Sequence, residues 1–143
     1  VSEAPGTSVP PQGAYVPAVV HGGLAWTAGM TPRRHGELVV HGVVGRDLDI
    51  PAAREAAGLA AHNAVTALVE AVGLPGIERA LKMTVFIAAA DGFTAHSAVA
   101  DGASKVLRER LGDRGAVARS AVGVRTLPSG APVEVELVAA VRP

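Results

Sequence analysis

The chain has no cysteine among its 143 residues. That absence excludes a disulfide framework, thiol catalysis and thiolate metal sites, and it fits a cytoplasmic protein. Aromatic residues make up only 3%, with one Trp, one Tyr and two Phe, so there are few platforms on which unpaired bases could stack. Net charge is also missing. Thirteen Lys and Arg balance thirteen Asp and Glu, leaving no basic field to mark nucleic acid as a partner. No apolar run approaches the ~20 residues that span a bilayer. Neither a Gly-x-Gly-x-x-Gly fingerprint nor a P-loop is present, so nothing supports a nucleotide cofactor. The five histidines, His21, His35, His41, His62 and His96, form no HxH or HxxxH pair, and without cysteine they do not compose a zinc site. The expectation is a protein without metal, cofactor, membrane span or nucleic-acid partner.

What remains is globular in character. Hydrophobic residues reach 49% and charged residues 18%, and 143 residues suffice for one domain with a real core. Residues 1–12 are rich in Pro, Gly and Ser without a basic-then-apolar leader pattern, and they read as a flexible arm. Residues 13–143 read as a single domain.

Two β-rich runs, Val16 to His21 and Leu24 to Ala28, flank Gly22-Gly23, a hairpin signal because both glycines tolerate positive φ. A third strand is expected over Glu37 to Val44. Asp49 stands where an N-cap belongs, Pro51 falls in the first turn and Gly73 lies past the end, which predicts a helix over Pro51 to Val72. A fourth strand over Ala80 to Ala88 follows, then a helix from about Thr94 to Leu111 ended by Gly112. Strands over Ala118 to Val124 and Val133 to Val141 complete an α+β chain of about six strands, with both helices available to one sheet face. Ala80 to Ala88 is apolar in both alternate sets. In the last strand Glu134 and Glu136 give way to Val138 and Ala140. Strands apolar on both faces are normally covered on both, so the second face is expected to meet other subunits.

The stretch Ala118-Arg119-Ser120-Ala121-Val122-Gly123-Val124, with Leu127-Pro128 and then Val133-Glu134-Val135-Glu136-Leu137, builds one arginine into an apolar strand and two carboxylates into the next. Charged residues in such positions call for partners. Arg119 offers a planar fork that fits a carboxylate. Glu134 and Glu136 share a face about 7 Å apart. On spacing alone the favoured reading is an ion pair between Arg119 and one of these glutamates that holds strands or subunits together, with the other carboxylate at a solvated strand end.

This stretch resembles the C-terminal signature of the Rid (reactive intermediate deaminase, YjgF-type) family. The likeness extends through Gly13-Ala14-Tyr15, Trp26-Thr27-Ala28-Gly29 and Lys82-Met83-Thr84-Val85-Phe86-Ile87 over nearly the whole chain. The resemblance implies a chorismate-mutase-like fold, a homotrimer with its sheets around a central barrel, and three clefts between subunits. It implies that Arg119 binds a substrate carboxylate, that Glu134 holds the attacking water with help from the Ala121 carbonyl, and that Glu136 is a salt-bridge partner. Tyr15 would line the cleft from the neighbouring subunit, or simply pack its ring at an interface. The implied activity is metal-free hydrolysis of 2-imino acids or their enamine tautomers to 2-keto acids and ammonia.

Three departures bear on the substrate. Ala28 stands where many imine-hydrolysing members carry serine, Ala121 where many carry cysteine, and the segment Phe93 to Gly102 differs from the best-known deaminases and resembles a less characterised branch. His96, near the start of the second helix, is placed to approach a cleft. The altered surroundings of Ala28 keep open a second reading, a binding protein that holds a small carboxylate-bearing molecule without turnover. A ribonuclease activity, a label some members carry, is disfavoured by the zero charge and the scarce aromatics.

Overall fold

The computed structural model describes residues 10–143, so most of the expected arm lies outside the described residues. In chain order the elements are β1 (Ala18–His21), β2 (Leu24–Thr27), β3 (Arg33–Arg34), β4 (Glu37–Leu38), α1 (Ile50–Val72), β5 (Ile77–Ala88), α2 (His96–Leu111), β6 (Ala118–Val124) and β7 (Val133–Val141). Five strands form one mixed sheet in the order β1-β2-β7-β5-β6, and β3 and β4 form a separate small ribbon. Only β5 and β6 run parallel, joined through α2. β6 is therefore an edge of the sheet.

The local signals explain most boundaries. Gly22 and Gly23 both adopt positive φ, 60° and 78°, and close the β1–β2 hairpin with His21 opposite Leu24. Asp49 caps α1 by accepting a hydrogen bond from the Ala52 N–H at 2.9 Å. At the other end the Gly73 N–H returns to the Val69 carbonyl. Alanines 53, 56, 57, 60, 61 and 64 of α1 are all buried and let the helices approach closely. At the crossing Gly58 faces Gly102, where a Cβ would collide with the Arg54 carbonyl.

The expected third strand, Glu37 to Val44, is a correction: only Glu37–Leu38 is strand, paired with Arg33–Arg34 and outside the main sheet. Positive φ at Gly42 and Gly45 breaks the extended backbone. The Asp47 carboxylate accepts from the Val43 N–H at 2.8 Å, folding Val43 to Leu48 into a turn instead. Two smaller corrections concern ends: β5 begins at Ile77 rather than Ala80, and α2 begins at His96 rather than Thr94.

Both helices pack on one sheet face, where Met83, Val85, Ile87, Val133, Val135, Leu137 and Ala139 are fully or almost fully buried against Val65, Leu68, Val99 and Leu107. The register carries the opposite face across the sheet. Trp26 is level with Val138, Phe86 with Glu134, and Phe86 with Val122. On that face Trp26 is 51% exposed and Val19 52% exposed. Among the described residues no helix is long and apolar enough to cross a membrane.

Candidate functional site

Alternation along the strands separates the two principal candidates. Arg119 is level with Met83, which is level with Leu137, both buried under the helices. Glu134 is level with Phe86, an odd number of residues further on. Successive side chains of a strand point to opposite faces, so Arg119 rises on the helix-covered face and Glu134 on the open one. The expected ion pair between Arg119 and Glu134 or Glu136 is therefore corrected as a link between strands of one copy. Arg119 instead binds α2: its Nη1 donates to Asp101 Oδ1 at 2.8 Å and to Ser104 Oγ at 2.9 Å. Its Nη2 donates to Ser97 Oγ at 2.8 Å. Because β6 is an edge and α2 borders it, the guanidinium stands at the rim of the sheet rather than in the core.

Glu134 heads the second half. Its carboxylate lies over Gly29, where a Cβ would come within 2.5 Å of Oε2. Burial raises its pKa above the usual carboxylate range, and the charge of Glu136 on the same face raises it further. Glu136 makes neither of the ion pairs found among the described residues, which are Arg46–Asp47 and Arg119–Asp101. Among the described residues of one copy its charge acts on Glu134.

Tyr15 shares a crevice with Gly29, the residue that Glu134 overlies. Pro17 and Met30 also line it, and the Tyr15 hydroxyl accepts from the Gln12 N–H at 3.0 Å. The Ala28 N–H donates to the Pro17 carbonyl at 2.8 Å, fastening the Tyr15 segment to the end of β2. From behind, the buried Asn63 of α1 donates to the Thr31 and Arg33 carbonyls at 3.0 and 2.9 Å, fixing the chain just after Gly29. Ala121 follows Arg119 on the same face of β6, two residues on.

The structure therefore gathers the candidates into two half-sites. One holds Arg119 and Ala121 with Ser97, Asp101 and Ser104. The other holds Tyr15, Ala28, Gly29 and Glu134. Sequence reasoning missed Asp101, Ser97 and Ser104 as partners of Arg119, and a polar i, i+4, i+7 stripe on α2 was the available signal. His96 packs across Gly123, where a Cβ would stand 2.8 Å from Nε2, and stacks edge-on to Phe93. With Arg46 and Arg125 it lines a cavity of about 1030 Å³ beside the end of β6. Among the described residues no group of three or more His, Asp or Glu is placed to hold a metal ion.

The family described as Endoribonuclease L-PSP matches residues 6–141. The Trypanosoma cruzi protein TCP17 is 35% identical over 124 residues, covering 85% of this chain and 78% of TCP17. Among solved structures, the Atu1372 protein of Agrobacterium tumefaciens is 36% identical with a TM-score of 0.87, covering 90% of this chain and 82% of its own. The structure of E. coli TdcF with bound serine is 26% identical with a TM-score of 0.67, covering 96% of this chain and 95% of TdcF.

Proposed function

Because the chain belongs to the Endoribonuclease L-PSP family, within the Rid superfamily, we propose that it hydrolyses 2-imino acids or their enamine tautomers to 2-keto acids and ammonia. The reaction takes place in a cleft that a neighbouring copy completes. The observation that carries this reading is the separation of Arg119 from Glu134 on opposite faces of one sheet. A single small ligand cannot touch both within one copy. It can touch Arg119 of one copy and Glu134 of the next if the exposed apolar face, with Trp26, Val19 and Val122, is where copies meet. A closed homotrimer with that face inside supplies three equivalent clefts.

In such a cleft Arg119 holds the substrate carboxylate through charge-assisted hydrogen bonds. The iminium carbon is already electrophilic, so fixing it against a water provides much of the acceleration. Glu134, with the Ala121 carbonyl, orients that water and takes its proton. The raised pKa of Glu134 brings it nearer to neutral pH, where a general base works best. The oxygen–carbon bond forms as the C=N π pair moves to nitrogen. Glu134 then returns its proton to the carbinolamine nitrogen, and the C–N bond breaks with its electron pair leaving on ammonia. The hydroxyl oxygen forms the C=O bond of the 2-keto acid as it gives up its proton to Glu134. Tyr15, in the crevice with Gly29, closes the cleft on that side.

The second reading is a carboxylate-metabolite binding protein of the same fold. The serine bound to TdcF and the apolar Ala28 favour it. One assay separates the two: 2-iminopropionate generated by an amino-acid oxidase, with ammonia release followed in the presence and absence of the protein. Acceleration over spontaneous hydrolysis, lost in Arg119→Ala with the fold retained, supports the hydrolase. Binding of small carboxylates without acceleration supports the binder.

A further inference from the structure

An arginine side chain carries five N–H donors. In this chain α2 engages the guanidinium of Arg119 from one side, through residues that recur at i, i+4 and i+7 and therefore share a helix face. Ser104 takes Nη1 at 2.9 Å and Ser97 takes Nη2 at 2.8 Å. The two hydroxyls already orient the group. Among the described residues Nε makes no hydrogen bond, and the Ser97 carbonyl reaches Nη2 only at 3.4 Å, which leaves N–H donors for a ligand carboxylate. The charge of Asp101 is additional. Its Oδ1 lies 2.8 Å from Nη1, its side chain is 52% exposed, and the Arg119 side chain is 19% exposed. A pair this open to water contributes only about 0–1 kcal/mol to stability.

A full positive and a full negative charge thus stand side by side at the rim of β6. A 2-iminium acid or a 2-amino acid is complementary to them, with a carboxylate on one carbon and a cationic nitrogen on the next. We propose that Asp101 is the specificity-determining partner of Arg119, accepting from the substrate's cationic nitrogen while Arg119 takes its carboxylate. The site is thereby selective for zwitterions over 2-keto acids. This proposal rests on the Arg119 site of the preceding section. A keto acid offers the same carboxylate but presents an oxygen, an acceptor, where the nitrogen donates. Against Asp101 it meets another acceptor and a like-signed charge. Replacement of C=NH2⁺ by C=O therefore removes an attraction and adds a repulsion, which expels the product and lets the site discriminate by chemistry where shape barely differs.

L-alanine and pyruvate test this directly, since they share a carbon skeleton and a carboxylate and differ in whether C2 carries ammonium or oxygen. Calorimetric titration of the full chain is expected to show tighter binding of L-alanine. Asp101→Asn is expected to weaken L-alanine about ten- to a hundredfold while leaving pyruvate unchanged or tighter. Asp101→Glu, which keeps the charge, is expected to retain the preference and serves if the amide variant folds poorly. The proposal is overturned if wild type shows no preference, or if Asp101→Asn shifts both ligands alike, as a plain structural clamp or an internal competitor would. Arg119→Ala separates the two levels of the argument. If it leaves both affinities untouched, the Arg119 site itself is wrong. If it abolishes both while Asp101→Asn changes neither, only the role of Asp101 falls.

Discussion

Glu134 and Gly29 form a contact that a side chain would displace: a Cβ on Gly29 would stand 2.5 Å from Oε2 and 2.6 Å from Cδ of the glutamate. The φ of Gly29 is not positive, so this glycine is required by the carboxylate above it and not by its own backbone. Gly29→Ala is expected to push the Glu134 carboxyl out of place. Because the atoms met are the end of a flexible side chain, the carboxyl can swing aside and the cost in stability stays below the ~1–3 kcal/mol of overpacking a rigid core. Imine hydrolysis should fall further than stability does, and parallel melting and ammonia-release measurements on the variant check it.

The titration of Glu134 predicts a pH dependence of stability. Its folded pKa is raised by burial and by Glu136, so the folded state binds the proton more tightly than the unfolded chain. Such a group costs stability above its folded pKa, and the cost disappears as pH falls toward the ordinary carboxylate pKa of about 4.3. Glu134→Gln is expected to raise the melting temperature at pH 7, with the gain shrinking steadily as pH is lowered to 4. A gain independent of pH over that range would show that ionisation of Glu134 is not its source.

The open sheet face supplies a test of assembly. Trp26, at 51% exposed, presents a large apolar ring in line with Val138 and next to Val19 on β1. Burying such a face between copies is favourable by about 25 cal/mol per Å² of apolar area, and a charge placed there would be desolvated. On the proposed trimer, Trp26→Glu is expected to lower the mass seen by light scattering toward that of a monomer while the far-ultraviolet spectrum stays unchanged. An unaltered mass would put the contact between copies elsewhere.

Much of this architecture is legible in the sequence, because it depends on local chemistry. The Asp49 cap and Gly73 stop bound the long helix, Gly22-Gly23 closes a hairpin, and the alternation of Val133 to Val141 separates a buried from a half-buried set. What was not legible depends on long-range partners. Val39, Val40, Val43 and Val44 have strand composition, but the glycines among them and the Asp47 side chain turn the backbone. In the same way, Arg119 meets Asp101, 18 residues away, because the β5–α2–β6 connection lays α2 along the edge strand. Spacing within the β6–β7 segment alone pointed to Glu134 and Glu136, and only the register of three strands shows that those carboxylates face the other way.

The most direct measurement of the central claim is complementation between two inactive variants. Arg119→Ala and Glu134→Gln are each expected to lose imine hydrolysis, the second by about 10²- to 10⁴-fold. If one copy supplies Arg119 and its neighbour Glu134, mixed assemblies contain clefts that carry both native residues. Unfolding the two variants together in equal amounts and refolding them should restore ammonia release from 2-iminopropionate to about a quarter of the wild-type rate, the share of intact interfaces in a random cyclic mixture. A co-refolded mixture no more active than the separate variants, with mixed assemblies confirmed by native mass spectrometry, would contradict a cleft shared between copies.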